Sequence, residues 1–287
     1  MMTYIPPKDL LRRQDKFPNY TETFAEDGTI EKCNITFKEG SRAYKNIKFI
    51  NCHFMKIIIK ESTFGKCTFV NCSFVSVTFE NIEFHDCIFD NCSLLKTKFR
   101  HSYIDPSCFR FNFDIWKKDA ANVNTWLFQE LNRNSQEMFQ SDFATIAYKQ
   151  FRRYRRSERL FKVRDQGLYI KLKARCPWLV DKIYEITMGY GYGLTNTLIT
   201  TVIFLLVTVG LVDYCWVKLN VTSNVQNLQE ASIWEKLYFI VVTASTLGYG
   251  DLSPKSTMGM IFVVVLLLGS ILWTAAVTAI FVKKLTK

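Results

Sequence analysis

The 287-residue chain shows no nucleophile set beside a base, no glycine-rich phosphate loop and no Cys/His spacing of a metal site. These absences argue against an enzyme and leave no cofactor to expect. The first residues, MMTYIPPKDLLRR, lack the apolar core of a signal peptide, so membrane insertion has to be directed by a later segment. Charge is absent altogether from Met258 to Val282 (MGMIFVVVLLLGSILWTAAVTAIFV), and Thr195 to Val217 carries only Asp213, near its far end. About 20 apolar residues cross the hydrocarbon core of a bilayer, so both segments are long enough to span it. The run Ile261 to Leu268 alone favours insertion by roughly 2–5 kcal/mol, at ~0.3–0.6 kcal/mol per residue. The competing reading is a buried helix of a water-soluble domain. Charge-free, β-branched runs of this length weigh against it.

Between the spans lies Ser232 to Ser245 (SIWEKLYFIVVTAS), apolar but only ~20 Å long as a helix, too short to cross. It suits a re-entrant helix with a non-helical return, which is tolerated at membrane depth where it lines a cavity. The return begins Thr246-Leu247-Gly248-Tyr249-Gly250-Asp251, with Pro254 just beyond. Glycines tolerate unusual dihedrals, so such a stretch can run extended with its carbonyls on one side. A ring of carbonyls can replace the water around a dehydrated cation, and the helix C-terminus before it favours positive charge. A second run, Gly189-Tyr190-Gly191-Tyr192-Gly193, has no apolar helix before it and no leading Thr, and reads as a glycine-rich hinge into the first span.

Residues 195–285 resemble the pore module of two-helix potassium channels, matching the TVGYG filter at Thr246, Gly248, Tyr249 and Gly250. Leu247 stands where Val is usual; the ligand there is a backbone carbonyl, so the exchange alters packing rather than chemistry. The resemblance implies K⁺ as permeant ion, bound along Thr246, Leu247, Gly248, Tyr249 and Gly250. Relatives with Asp at the Tyr249 position are non-selective cation pores. Asp251 would place a carboxylate ring at the outer mouth, drawing cations inward. One chain supplies one wall, so a homotetramer is implied. Tyr238 and Phe239 correspond to an aromatic cuff around the filter. Gly269 is a candidate gating hinge, with close helix packing as the alternative. The module divides into a first span 195–217, a pore helix 232–245, a filter 246–251 and a second span 258–282.

Lys171, Lys173, Arg175 and Lys182 precede the first span, Lys283, Lys284 and Lys287 follow the second, and only Lys218 lies between the spans before the short helix. Basic residues mark the cytoplasmic side, so the expected topology is a multi-pass cell-membrane protein with both termini inside. No arginine ladder lies within a span, which excludes a voltage sensor of the usual kind. About five residues follow the second span, so no C-terminal ligand-binding module is expected.

The other half of the chain repeats. Phe49, Phe54, Ile59, Phe64, Phe69, Phe74, Phe79, Phe84, Phe89, Leu94, Phe99, Ile104 and Phe109 recur every five residues without a miss. Neither a helix nor a flat strand generates that interval. Asn51-Cys52, Asn71-Cys72 and Asn91-Cys92 add a period of twenty, so four fives make one square coil. This is similar to the pentapeptide-repeat family, and implies a right-handed quadrilateral β-helix over residues 44–111 with stacked Phe ladders. Coils lie about 4.8 Å apart, giving a rod ~15 Å tall. So short a stack needs capping by its flanks, including residues 1–43. Phe37 is out of phase, and the register before Tyr44 is open. Five of nine cysteines fill the small interior position and read as apolar filler in a reducing compartment rather than ligands or disulfides. Asn71-Cys72-Ser73 and Asn91-Cys92-Ser93 match the glycosylation sequon but fall on the cytoplasmic side; Asn220-Val221-Thr222 falls outside. From Tyr44 to Phe109 there are eight Lys/Arg against six Asp/Glu, a balance that argues against DNA mimicry and for an interaction or assembly platform with a cytoplasmic protein partner.

Residues 112–194 connect the halves, with helices expected at Trp126 to Met138 and Phe143 to Tyr154 and Asp142 as N-cap. From Lys149 to Arg175 there are eleven Lys/Arg and two Asp/Glu, a balance of +9 out of the chain's +11. Directly before a span, that charge suits anionic lipid better than nucleic acid, with Arg152, Arg153, Arg155, Arg156, Lys171, Lys173 and Arg175 as candidate contacts. A solvated face or subunit contacts are the bland alternative. Pro177-Trp178 suggests an interfacial turn with an aromatic anchor. The combined expectation is a multidomain membrane protein: a β-helix, a helical connector and a tetrameric α-helical pore. The alternatives are a non-selective cation channel and a membrane-tethered scaffold.

Overall fold

The computed structural model describes residues 19–21, 26–37, 41–111, 121–164, 166–223 and 231–285. Most of the expected cap 1–43, the start of the connector and Lys287 therefore lie outside the described residues. The chain divides into two compact units, Met1–Asp181 and Lys182–Lys287.

In the first unit the five-residue period becomes a β-solenoid. Strands of three residues are centred on the interior apolar position, and each pairs in parallel with the strand twenty residues on: Phe49 with Phe69, Phe69 with Phe89, Phe54 with Phe74 and Phe79 with Phe99. Rings therefore stack along each face. Phe49, Phe69, Phe89 and Phe109 succeed one another at centroid spacings of 4.9, 4.6 and 4.7 Å. That spacing is the strand separation of a sheet, so every ring lies over its neighbour in the next coil. Between strands the chain turns a corner on a left-handed residue, again every five: Asn51, Lys56, Glu61, Lys66, Asn71, Ser76, Asn81, Asp86, Asn91, Lys96 and His101, with φ between 47° and 55°. Asn and Asp tolerate this region best, which accounts for the recurring Asn.

The corner also explains the small residue that follows it. The thiols of Cys72, Cys87 and Cys92 donate to the carbonyls of Phe49, Phe64 and Phe69 in the preceding coil at 3.4, 3.3 and 3.2 Å, and the hydroxyls of Thr97 and Ser102 do the same to Phe74 and Phe79. All nine cysteines are free. Among the described residues no three His, Cys, Asp or Glu side chains group as a metal site.

The solenoid starts earlier than residue 44. Ile30 pairs with Phe49 and Ile35 with Phe54, a separation of nineteen instead of twenty. Nine residues part Ile35 from Tyr44 where the period asks for ten, so one residue is missing from that coil, which hides the repeat in the sequence. Phe37, off the ladder positions, packs on the core end, stacked on Phe54 at 6.0 Å and edge-on to Tyr44 at 5.4 Å.

The far end is closed by helices. α1 (Ala121–Glu137) lays Leu127, Phe128 and Leu131 into the same core, with Phe128 edge-on to Phe109. The Asn134 amide donates to the Ser102 carbonyl at 2.7 Å and accepts from the Ser102 N–H at 3.0 Å, pairing with the last coil as a further strand would. α2 (Ser141–Lys162) returns against α1. It runs two turns beyond the expected Tyr154, because its Arg and Lys are good helix formers. Its N-cap is Gln140, not the expected Asp142, which sits in the first turn, where a negative charge suits the helix dipole. α3 (Leu168–Met188) passes unbroken through Pro177, where an interfacial turn is expected from the sequence. Proline's fixed φ fits a helix at the cost of one hydrogen bond. Asp181, one turn on, pins the helix through Arg152 and Arg156 of α2.

The second unit holds α4 (Leu194–Leu219), α5 (Ile233–Ala244) and α6 (Thr257–Leu285), with a two-stranded antiparallel ribbon, Val221–Ser223 on Leu252–Pro254, at one end. α4 and α6 are long and apolar enough to cross a membrane, and most of their surface is exposed in the single chain.

Candidate functional site

α5 starts on a built cap. The Ser232 hydroxyl accepts from the Glu235 N–H at 3.3 Å, and the Glu235 carboxylate accepts from the Ser232 N–H at 2.7 Å. This capping box fixes where the helix begins. Phe239 and Ile240 bury its inner face against Val212 of α4 and Leu266 of α6. Lys236 of α5 meets Asp213, the lone charge of the first span, at 2.5 Å, so that charge holds the short helix to the long one.

The C-terminus of α5 unwinds into the candidate filter. The N–H groups of Leu247 and Gly248 still donate to the Val242 carbonyl, at 3.2 and 3.4 Å. Beyond that the backbone alternates: Thr246, Gly248 and Gly250 have φ of 60°, 51° and 78°, while Leu247 and Tyr249 stay out of the left-handed region. Residues of alternating hand can bring successive carbonyls to one side of an extended chain, whereas in a regular strand they alternate. Two of the left-handed positions are glycine, which pays nothing there; the third is β-branched Thr246, a backbone conformation retained at functional sites. Leu247 and Tyr249 are 60% and 67% exposed in the single chain, large apolar surface without cover.

Asp251 follows directly, and the Tyr238 hydroxyl faces its carboxylate with Tyr249 nearby. The two expected cuff residues therefore part: Tyr238 looks toward Asp251 at the end of the candidate filter and Phe239 into the core. Behind the mouth, Gly259 allows a close approach. A Cβ there would lie 2.5 Å from the Leu219 carbonyl and 2.7 Å from Pro254. Ser256 completes the joint, donating to the Leu219 carbonyl at 2.9 Å and accepting from the Gly259 N–H at 3.0 Å.

At the opposite end α6 is tied once to α4 and once to the elbow before it. The Trp273 indole donates to the Thr201 hydroxyl at 3.0 Å, and the Lys283 ammonium sits 3.5 Å from the centroid of the Tyr192 ring. Tyr192 belongs to the second glycine-tyrosine run, which forms a tight elbow between α3 and α4 with Gly189, Tyr190 and Gly191 all left-handed. Gly269 lies midway along α6, which runs unbroken through it, with open space where a Cβ would project.

The candidate lipid contacts also separate. Arg152 and Arg156 turn inward to Asp181, with Tyr148 accepting from Arg152 at 3.2 Å, so a buried carboxylate, not lipid, accounts for them. Arg155 packs over the Phe151 ring at 5.5 Å. Arg153, Lys173 and Arg175 are exposed and Lys171 is half-buried. Neither the inward turn of Arg152 and Arg156 nor the ties at Asp213, Gly259 and Tyr192 was legible from sequence, because each depends on a tertiary neighbour. The lone Asp in an apolar span was the one signal available.

Two long apolar helices, a capped half-length helix between them and a return of alternating backbone define an ion-channel pore fold. Comparison agrees: residues 197–287 match the ion channel family model, and residues 49–93 match a model described as pentapeptide repeats in nine copies. The chain thus joins an ion-channel domain to pentapeptide repeats folded as a β-solenoid. A 49-residue stretch is 41% identical to potassium channel subfamily U member 1 of Rattus norvegicus, covering 17% of this chain and 4% of that protein.

Proposed function

We propose that this chain is the subunit of a potassium-selective channel. The observation that carries the reading is the alternating backbone of Thr246 to Gly250 at the end of a capped, half-length helix. Four such returns around an axis would stack carbonyl rings at the spacing a dehydrated cation needs, which requires a homotetramer. The Tyr249 side chain, the Asp251 ring and the potassium channel named among the relatives support K⁺ as the ion. No cofactor or enzymatic step enters this scheme. The basic residues flanking the spans favour both termini on the cytoplasmic side. The solenoid then serves as a regulatory or assembly platform in the cytoplasm, where its reduced thiols belong.

Purified chain in liposomes, recorded under opposed K⁺ and Na⁺ gradients, tests this reading. The expected reversal potential lies close to the K⁺ equilibrium value and moves toward zero in Tyr249→Asp. A wild-type reversal near zero marks a non-selective cation pore. Folded tetramers without flux mark a membrane-tethered scaffold.

A further inference from the structure

α3 is held on one side and bare on the other. Asp181 faces α2, buried against Arg152 and Arg156. On the opposite side Leu172, Leu179, Val180, Ile183 and Ile186 form one continuous stripe at helical spacing, each 51–67% exposed. Cys176 lies on the same stripe and is exposed. Lys171, Arg175 and Lys182 border the stripe on one flank and Lys173 on the other. Near the start of the stripe, Leu160 of α2 and Tyr169, Leu172 and Leu179 of α3 line an open, mostly apolar groove of about 900 Å³, rimmed by Lys173 and Arg175. A helix with an apolar stripe between basic flanks matches a surface that is apolar within and anionic at its edge. That surface is a bilayer carrying acidic headgroups. Continuity points the same way: the stripe ends at Ile186, and α4 begins at Leu194 after the elbow.

We infer that α3 lies in the cytoplasmic interface of the membrane, its stripe among the acyl chains and its flanking Lys171, Lys173, Arg175 and Lys182 on anionic phospholipid headgroups. This rests on reading α4 and α6 as spans. It gives the basic connector a defined ligand class and leaves Arg152 and Arg156 a structural task.

The native thiol provides the probe. Among the described residues Cys176 is the exposed cysteine, and five solenoid thiols are buried. A nitroxide on Cys176, in full-length protein with Cys215→Ala, is read for collision with oxygen and with an aqueous nickel chelate. The protein sits in phosphatidylcholine vesicles with or without phosphatidylglycerol. Labels at Leu172→Cys, Leu179→Cys and Ile183→Cys, and at Lys171→Cys on the flank, follow in a Cys176→Ser background. Oxygen should be favoured several-fold along the stripe and the nickel chelate on the flank. Replacing Lys173 and Arg175 with Gln should lower the preference for spin-labelled phosphatidylglycerol by roughly fivefold per charge. A stripe open to nickel overturns the inference, and so does a stripe closed to both reagents, which marks protein cover by a second copy. A label at Val207→Cys in α4 reports separately on the span, and the readout needs no ion flux.

Discussion

At the scale of single residues, the molecule depends on side chains that stand in for missing backbone. Asn134 supplies both a donor and an acceptor to Ser102, whose own groups face the end of the stack. Asn134→Ala removes two hydrogen bonds and strands buried polar groups, an expected cost of about 2–3 kcal/mol, read as a lower melting temperature of the β-sheet circular dichroism signal. Two solenoid thiols, buried Cys72 and half-buried Cys108, carry a pH prediction. Burial pushes the Cys72 thiol well above its ordinary value, and burial with the Asp105 charge does the same to Cys108. Below about pH 8.5, the pKa of an unfolded cysteine, both states hold these protons and the stabilisation is complete. Above it the unfolded chain ionises first, so solenoid stability should fall as pH rises. A denaturant titration at several alkaline pH values checks the slope, which Cys72→Ala should flatten. The ladder of five was legible in sequence because it repeats at an interval few structures allow, and the glycines at 248 and 250 marked where the backbone turns left-handed. Asn134 was not, because nothing in its local sequence separates a cap from an ordinary polar helix residue.

At the scale of elements, the helices were legible in kind and less so in extent. Apolar length places α5, while α3 runs through Pro177 where a turn is expected from the sequence, with Asp181 one turn on anchored from another helix. The tie between Tyr192 and Lys283 is the element-scale contact with the clearest functional reading. A cation over a ring contributes ~0.5–2 kcal/mol and exists only while the last turn of α6 rests on the elbow before α4. Tyr192→Leu should lower the occupancy of that arrangement, appearing in single-channel records as a change in open probability of roughly 2- to 30-fold. An unchanged open probability would remove the elbow from gating.

At the scale of the whole molecule, the boundary between halves is not where composition suggests. The basic connector is divided: α1 and α2 complete the solenoid core, whereas the elbow from Gly189 belongs with the pore. Removing residues 1–110 would therefore bare Leu127, Phe128 and Leu131 and produce an aggregation-prone stump. Removing residues 1–164, with Asp181→Asn to relieve the carboxylate left without Arg152 and Arg156, cuts instead between α2 and α3 and takes the whole helical cap away with the solenoid. That shorter chain should still assemble and pass K⁺ in liposomes, with an altered open probability if the solenoid regulates the pore. Loss of tetramers on size-exclusion chromatography would assign the solenoid to assembly instead.

The strict twenty-residue register has a further consequence. From Tyr44 on, each coil presents the same strands, the same corners and the same hydrogen-bonding edge to the next, so the cap on Ser102 meets an interface that any of these coils can provide. The rod can therefore change height only in whole increments of about 4.8 Å, each twenty residues of added or deleted sequence, without turning its faces or disturbing its ends. Its length is a digital quantity, one that duplication or excision of a single coil can reset.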